Sequence, residues 1–356
     1  MQPFSSSASE PGQLADRRGL MAGLAPFQTA SLRRSVGQFG STMLAYLALN
    51  AAMYAVLPWS TWAAMALALP AAGMVVRLFI VQHDCGHGSF FRSRRANDWV
   101  GRACSLATFT PYAFWRRQHA NHHASFNNLD RRDSGVDLYS TCATVQEYRA
   151  MPTLRRALYR GSRHPVITQL VLPPILFLIL YRVPFDTPRS WRRERRSVLL
   201  SNLAIAAMLG VLVLGFGIGP VATVQLPIML LASIVGVWLF SVQHRFEAAQ
   251  WWHQEQWTPV QASLEGSSYL KLPRLLQWLT GNIGFHHIHH LSARIPNYRL
   301  QECHEGRPEL SEATTLTFGE ALRAPSYALW DEAAGRMVPF ARRTWTAPAA
   351  CIPLAE

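Results

Sequence analysis

Four long apolar runs constrain this chain more than any other feature. Ser41–Leu57 and Trp62–Val81 are separated only by Pro58, Trp59, Ser60 and Thr61, and Ser197–Ile218 and Val221–Val242 only by Gly219-Pro220. Each run has roughly the 17–25 residues a helix needs to cross ~30 Å of hydrocarbon. Backbone amides in lipid must be hydrogen-bonded within their own segment, so helices are expected, in two hairpins. Composition agrees, because charged residues are 15% of the chain where about a quarter is usual for a soluble domain. Arg77, near the end of the second run, is expected to snorkel towards the headgroups.

A fifth run, Val166–Tyr181, is interrupted by Pro173-Pro174. Whether it crosses decides the topology. If it crosses, the basic loop Arg189–Arg196 lies outside, against the bias for positive charge on the cytoplasmic side. If it dips in and returns, both uncharged hairpin tips lie outside and every basic loop lies inside. A Pro-Pro pair suits such a broken segment when protein covers the freed backbone groups. Trp99–Trp115, moderately apolar and carrying Arg102, reads as an interfacial or re-entrant helix. The expected fold is therefore an all-α integral membrane protein, with four transmembrane helices, re-entrant or interfacial helices and a cytoplasmic histidine-rich cap. Its expected parts are a polar, disordered tail over 1–35, a membrane domain over 36–305 and a cytoplasmic tail over 306–356. Inner-membrane localisation, with the chemistry facing the cytoplasm, follows from the same parity.

Three histidine clusters flank these runs. His83-Asp84-Cys85-Gly86-His87 is H-x3-H, His119-Ala120-Asn121-His122-His123 is H-x2-HH, and His286, His289 and His290 repeat H-x2-HH. Residues i and i+4 of a helix share one face, so each pair can reach one ion. His244, at the end of the last run, is a ninth candidate. Nine imidazoles exceed what one ion needs, and two ions with four or five nitrogens each is the economical reading. Zinc is satisfied by three or four ligands and has no redox chemistry. A non-haem di-iron site that activates O2 fits better, although spacing alone does not name the metal. His287 would point away from its neighbours, and His164, His253 and His304 stand alone and read as ordinary.

Other classes fit less well. There are 34 Lys+Arg against 21 Asp+Glu, but no basic recognition helix or nucleic-acid motif stands out, and positive charge flanking spans explains the excess. Five cysteines without C-x-x-C spacing argue against a disulfide framework or a cysteine zinc site. A metal transporter would carry its ionisable residues inside the spans, and here they follow them.

HDCGHGSFF at 83–91, HANHH at 119–123 and GFHHIHHLSARIPNY at 284–298 resemble the three histidine boxes of the integral-membrane fatty acid desaturases. The Δ12-type acyl-lipid branch of bacteria and cyanobacteria is the most similar. Asn128–Asp133, Val145–Tyr148, Tyr159–Pro165 and Gln243–Glu247 add to the resemblance, which spans roughly 40–305. It implies that His83, His87, His119, His122, His123, His244, His286, His289 and His290 hold two irons. It implies oxygen-dependent insertion of a cis double bond at or near Δ12 in a membrane-lipid acyl chain. Related membrane hydroxylases and carotenoid ketolases share the boxes and are the alternative. Where the acyl-CoA branch has an asparagine that helps hold a metal-bound water, this chain has Phe240. Asp84 and Asp133 are candidates to orient ligating imidazoles. Trp115, Trp238, Trp251 and Trp252 are expected in the interfacial belt. No haem motif follows His164-Pro165, so electrons are expected from a separate donor such as ferredoxin, which an Arg-rich face would steer.

Overall fold

A computed structural model describes residues 19–132 and 139–340. The stretches 1–18 and 341–356, and Asp133 with its neighbours to 138, lie outside the described residues. The principal helices are α1 (Leu32–Val56), α2 (Thr61–His87), α3 (Arg94–Thr108), α4 (Tyr112–Ser125), α5 (Arg192–Phe216), α6 (Ile218–Val242) and the short α7 (His286–Leu291). Among the described residues, α1, α2, α5 and α6 are long and apolar enough to cross a membrane. They run beyond the expected limits, because α2 continues six residues past Val81 into the first histidine cluster.

Helix α2 is the centre of the frame. In its most apolar window 61% of residues are buried, against 11% for α5. Its Ala64, Ala68, Ala71 and Ala72 are buried, and small side chains let neighbouring backbones approach closely where lipid offers no hydrophobic drive. Met53 of α1 and Val224 and Ile228 of α6 fill the same core. Gln225 of α6 donates to the Asn50 carbonyl of α1 at 2.9 Å, which spares two polar groups from facing lipid. The Ser60 hydroxyl caps α2 by accepting from Ala63 N at 3.1 Å. The second hairpin turns at Gly217, whose φ of 85° is readily open only to glycine. Gly219-Pro220 therefore falls inside the first turn of α6 rather than forming the tip.

Three expectations need correction. Arg77 is 8% exposed and does not snorkel. It donates to Thr42 Oγ1 of α1 at 3.2 Å and to Trp278 O, with its guanidinium 4.2 Å from the Trp278 ring centre. Trp99–Trp115 is two helices, α3 and α4, broken at Phe109, which takes a left-handed φ of 52°. The supposed tails are structured where described. Leu24 is fully buried with Phe285, Ile288 and Leu300, and residues 308–340 fold back onto the helices. There β1 (Ala143–Thr144) pairs in parallel with β4 (Leu329–Asp331), which pairs antiparallel with β5 (Arg336–Val338). A second pair joins β2 (Tyr269–Leu270) to β3 (Thr315–Leu316). The fully buried Arg245 donates through Nε and a terminal nitrogen to Tyr327 O at 3.0 and 2.6 Å.

The proline-broken run forms a π-helical turn, Ile167–Val171, followed by the helix Leu172–Leu178. It bends by 53° from the preceding helix Thr153–Ser162. Phe177 and Tyr181 are buried against Phe114 of α4, while Leu170, Val171 and Ile179 are exposed. By length and composition, four helices can cross, or five if the bent pair is one span.

Candidate metal centre

All nine predicted histidines meet at one end of the helical frame. His83 and His87 leave the last turns of α2. His119, His122 and His123 lie along α4. His244 sits in the turn after α6, fully buried, and α7 delivers His286, His289 and His290. Helix α7 has only six residues, so its position depends on the turn before it. Gly281 and Asn282 both have positive φ, 54° and 58°. A Cβ on Gly281 would lie 2.9 Å from Ile80 Cγ2, so the turn seats against α2 only with glycine there.

The imidazoles form two groups. One ligand atom from each of His83, His87, His119, His123 and His289 lies within 4.8 Å of all the others, and the same holds for His122, His244 and His290. His286 joins the second group, its Nε2 being 2.9 Å from His244 Nε2 and 3.0 Å from His290 Nε2. The two groups adjoin, with the rings of His123 and His290 stacked at 4.3 Å.

The donor set suits cations. His244 Nε2 lies 3.2, 2.9 and 3.1 Å from the Nε2 atoms of His122, His286 and His290. A neutral imidazole nitrogen carries either one proton or one lone pair, so hydrogen bonds among the rings cannot satisfy four mutually converging Nε2 atoms. Among the described residues, the buried Nε2 of His87 has no hydrogen-bond partner. Burial pushes the imidazoles of His119, His123, His286, His289 and His290 well below their ordinary value, and neighbouring imidazoles push the same way. They are held neutral, the form that binds a metal.

Supporting groups fix the rings. Asp84 Oδ1 is 3.1 Å from His83 Nδ1, and Asp84 Oδ2 accepts from the backbone and side-chain nitrogens of Asn297 at 2.6 and 2.8 Å. A proton on Nδ1 facing Asp84 leaves Nε2 free to ligate. Ser140 Oγ lies 3.3 Å from His122 Nδ1. Ser140 carries no spacing signal, because it reaches the site from a turn outside the boxes, and Asn297 opens the helix Asn297–Gly306 just after the third box, where histidine spacing says nothing of its role. Phe240 places its ring 5.0 Å from His122 and 5.5 Å from His244, an apolar wall where an amide was the family comparison. Asn282 bonds to Asn297 O and Gln277 instead of the cluster.

The remaining histidines lie elsewhere. His287 is buried and faces His304 and Tyr269, and burial pushes its imidazole down to about 3. His164 accepts from Val166 N at 3.3 Å. His253 bridges Asp130 and Glu332 at 2.9 and 3.2 Å.

The centre opens onto a cavity of about 320 Å³. Val75, Phe79 and His83 of α2 line one wall, and Met229, Ala232, Gly236, Val237 and Phe240 of α6 line another. Trp115 closes a third side and stacks on His119 at 4.7 Å, so it belongs to this cavity and not to an interfacial belt. Val75 and Met229, which also line the cavity, are apolar and buried. Eight residues of helix separate Val75 from His83, about 12 Å at the α-helical rise. The open end carries the exposed Asp186 and Pro188 with Trp191.

A frame of helices long and apolar enough to cross a membrane, with a histidine cluster that could hold metal at one end beside a largely apolar cavity, defines a class of membrane-helical proteins suited to an apolar substrate. The fatty acid desaturase family model matches residues 60–320. A fatty acid desaturase of Bacillus subtilis is 40% identical over 317 residues, 89% of each chain. The sn-1 oleoyl-lipid 12-desaturase of Synechocystis is 28% identical, covering 70% of this chain and 68% of its own. The sn-1 acyl-lipid omega-3 desaturase (ferredoxin) of the same organism is 28% identical over 71% and 67%. The chain belongs to the fatty acid desaturase family and is an enzyme of that class.

Proposed function

We propose that this enzyme inserts a cis double bond, at or near Δ12, into an acyl chain of a membrane lipid. The observation that carries the reading is the junction of the histidine centre with the largely apolar cavity. The cavity is lined by His83, His119, His122 and His286 together with buried apolar residues such as Val75 and Met229. The position near Δ12 rests on the histidine-box resemblance and on the relative named for position 12.

His83, His87, His119, His123 and His289 would hold one iron, and His122, His244, His286 and His290 the second. When bound, the irons supply the activation of O2, which with two electrons and two protons takes two hydrogens from adjacent methylenes and leaves as water. The chain's own residues do the rest. Asp84 and Ser140 hold the His83 and His122 rings in orientation. Val75, Phe79, Met229 and Phe240 exclude water and keep the substrate's methylenes against the imidazole face, a positioning task on which such chemistry depends.

The frame is read as four spans in the inner membrane, with the bent Thr153–Arg182 segment dipping in and returning. The centre then faces the cytoplasm beside Arg92, Arg94, Arg95 and Arg189–Arg196. Electrons come from an external acidic donor such as ferredoxin, by analogy with the ferredoxin-named relative. A hydroxylase or ketolase outcome remains the competing reading, because the first hydrogen abstraction is common to both. Fatty acid methyl esters from a host expressing the chain separate them. New monoene or diene species are expected, lost when His286, His289 and His290 become Ala. A hydroxy acid without a new double bond would contradict the proposal.

A further inference from the structure

Among the polar groups that line the cavity outside the histidine cluster, Gln118 is the one whose two side-chain polar atoms are both buried and unpaired among the described residues. Gln118 precedes His119 on α4 and lines the cavity. Its Oε1 and Nε2 are both buried and have no hydrogen-bond partner among the described residues. Leaving a buried amide unpaired is destabilising, so a partner is expected from whatever fills the cavity. Arg117, the residue before it, holds its guanidinium 4.7 Å from the ring centre of Trp191, which lines the open end.

The lining is also informative in its charge. Among the described residues, no lysine or arginine lines the cavity, and the one carboxylate there is Asp186 at the opening. Inside the cavity a free fatty acid carboxylate would meet no cation among the described lining residues, since Arg117 stays on Trp191 at the opening. A neutral carbonyl needs no cation and matches an amide N–H donor. We propose that Gln118 is a positioning residue that donates from Nε2 to the ester carbonyl of a glycerolipid acyl chain and thereby sets how far the chain enters past the histidines. The site of the new double bond is then measured from that hydrogen bond. This rests on the desaturase reading above.

The test compares the wild-type chain with Gln118→Leu and Gln118→Asn in a host membrane. Double-bond positions are read by mass spectrometry of derivatised methyl esters, and iron content is measured on each purified protein. Gln118→Leu removes the donor at nearly the same volume. It is expected to keep its iron and to spread the product over two or more positions, with at least a fifth of it displaced. Gln118→Asn keeps a donor on a shorter arm and is expected to displace the position in one direction. An unchanged position in both variants, with or without lower yield, would overturn the proposal, since a purely structural glutamine changes yield alone. Wild type giving no double bond would instead overturn the desaturase reading. The carbonyl's source is decided by blocking fatty acid synthesis before inducing the enzyme. Double bonds that continue to appear in preformed phospholipid support the ester, and arrest of their formation contradicts it.

Discussion

Asp84 shows how much of the centre rests on groups that are not ligands. It touches His83 with one carboxylate oxygen and holds two Asn297 nitrogens with the other. Asp84→Asn keeps the shape but removes the charge and turns one of two acceptor oxygens into a donor, so that it can no longer accept from both His83 and Asn297. Iron affinity is expected to fall about 10–100-fold, the usual cost of losing such a partner, as read by iron retention against a graded chelator. His253 offers a separate test, in pH. Its imidazole is raised above the ordinary value, first by the hydrogen bond to Asp130 and then by that to Glu332. A raised folded-state value means the contribution is fully present below pH 6.5 and is lost as pH rises through the folded value. His253→Ala should therefore lower the melting temperature at pH 6 by about 1 °C, a small effect because the pair is exposed, and have less effect at pH 8.5. The opposite trend would contradict the assignment. At this scale the histidines were legible because helical spacing groups ligands by face. Gln118, Ser140 and Asn297 were not, because their roles depend on contacts that the sequence does not order.

The helices were legible where lipid dictates them and less so where protein does. Both hairpins follow from apolar length. The break between α3 and α4 does not, because it depends on Phe109 adopting a left-handed backbone, with Tyr112 then packing against α3. A Cβ at Gly101 of α3 would lie 2.3 Å from the Tyr112 ring, whose hydroxyl donates to Cys85 O of α2 at 2.7 Å. Gly101→Ala must push the Tyr112 ring of α4 away from α3 and disturb its hydrogen bond to α2. A loss of about 1–3 kcal/mol is expected from overpacking, seen as a lower melting temperature together with lower iron content. Full stability would show that the contact yields freely. The bent Thr153–Arg182 segment is decided by reporter fusions placed after Arg196. Cytoplasmic signal supports the dip and return, and periplasmic signal means that the segment crosses.

For the whole molecule, the apolar pattern gives the frame and the histidines give its active end. The C-terminal stretch 308–340 was read as a tail because it is polar and short in periodic signal. Its order comes from long-range partners, the β1–β4 pairing and the fully buried Arg245 holding Tyr327 O. The central claim is that nine imidazoles in two adjoining groups hold two irons. Metal analysis of the purified, iron-supplied enzyme tests it most directly. Two irons per chain are expected, falling to one or fewer when His289 becomes Ala. One iron per chain in the wild type, or zinc in place of iron with activity intact, would contradict the account.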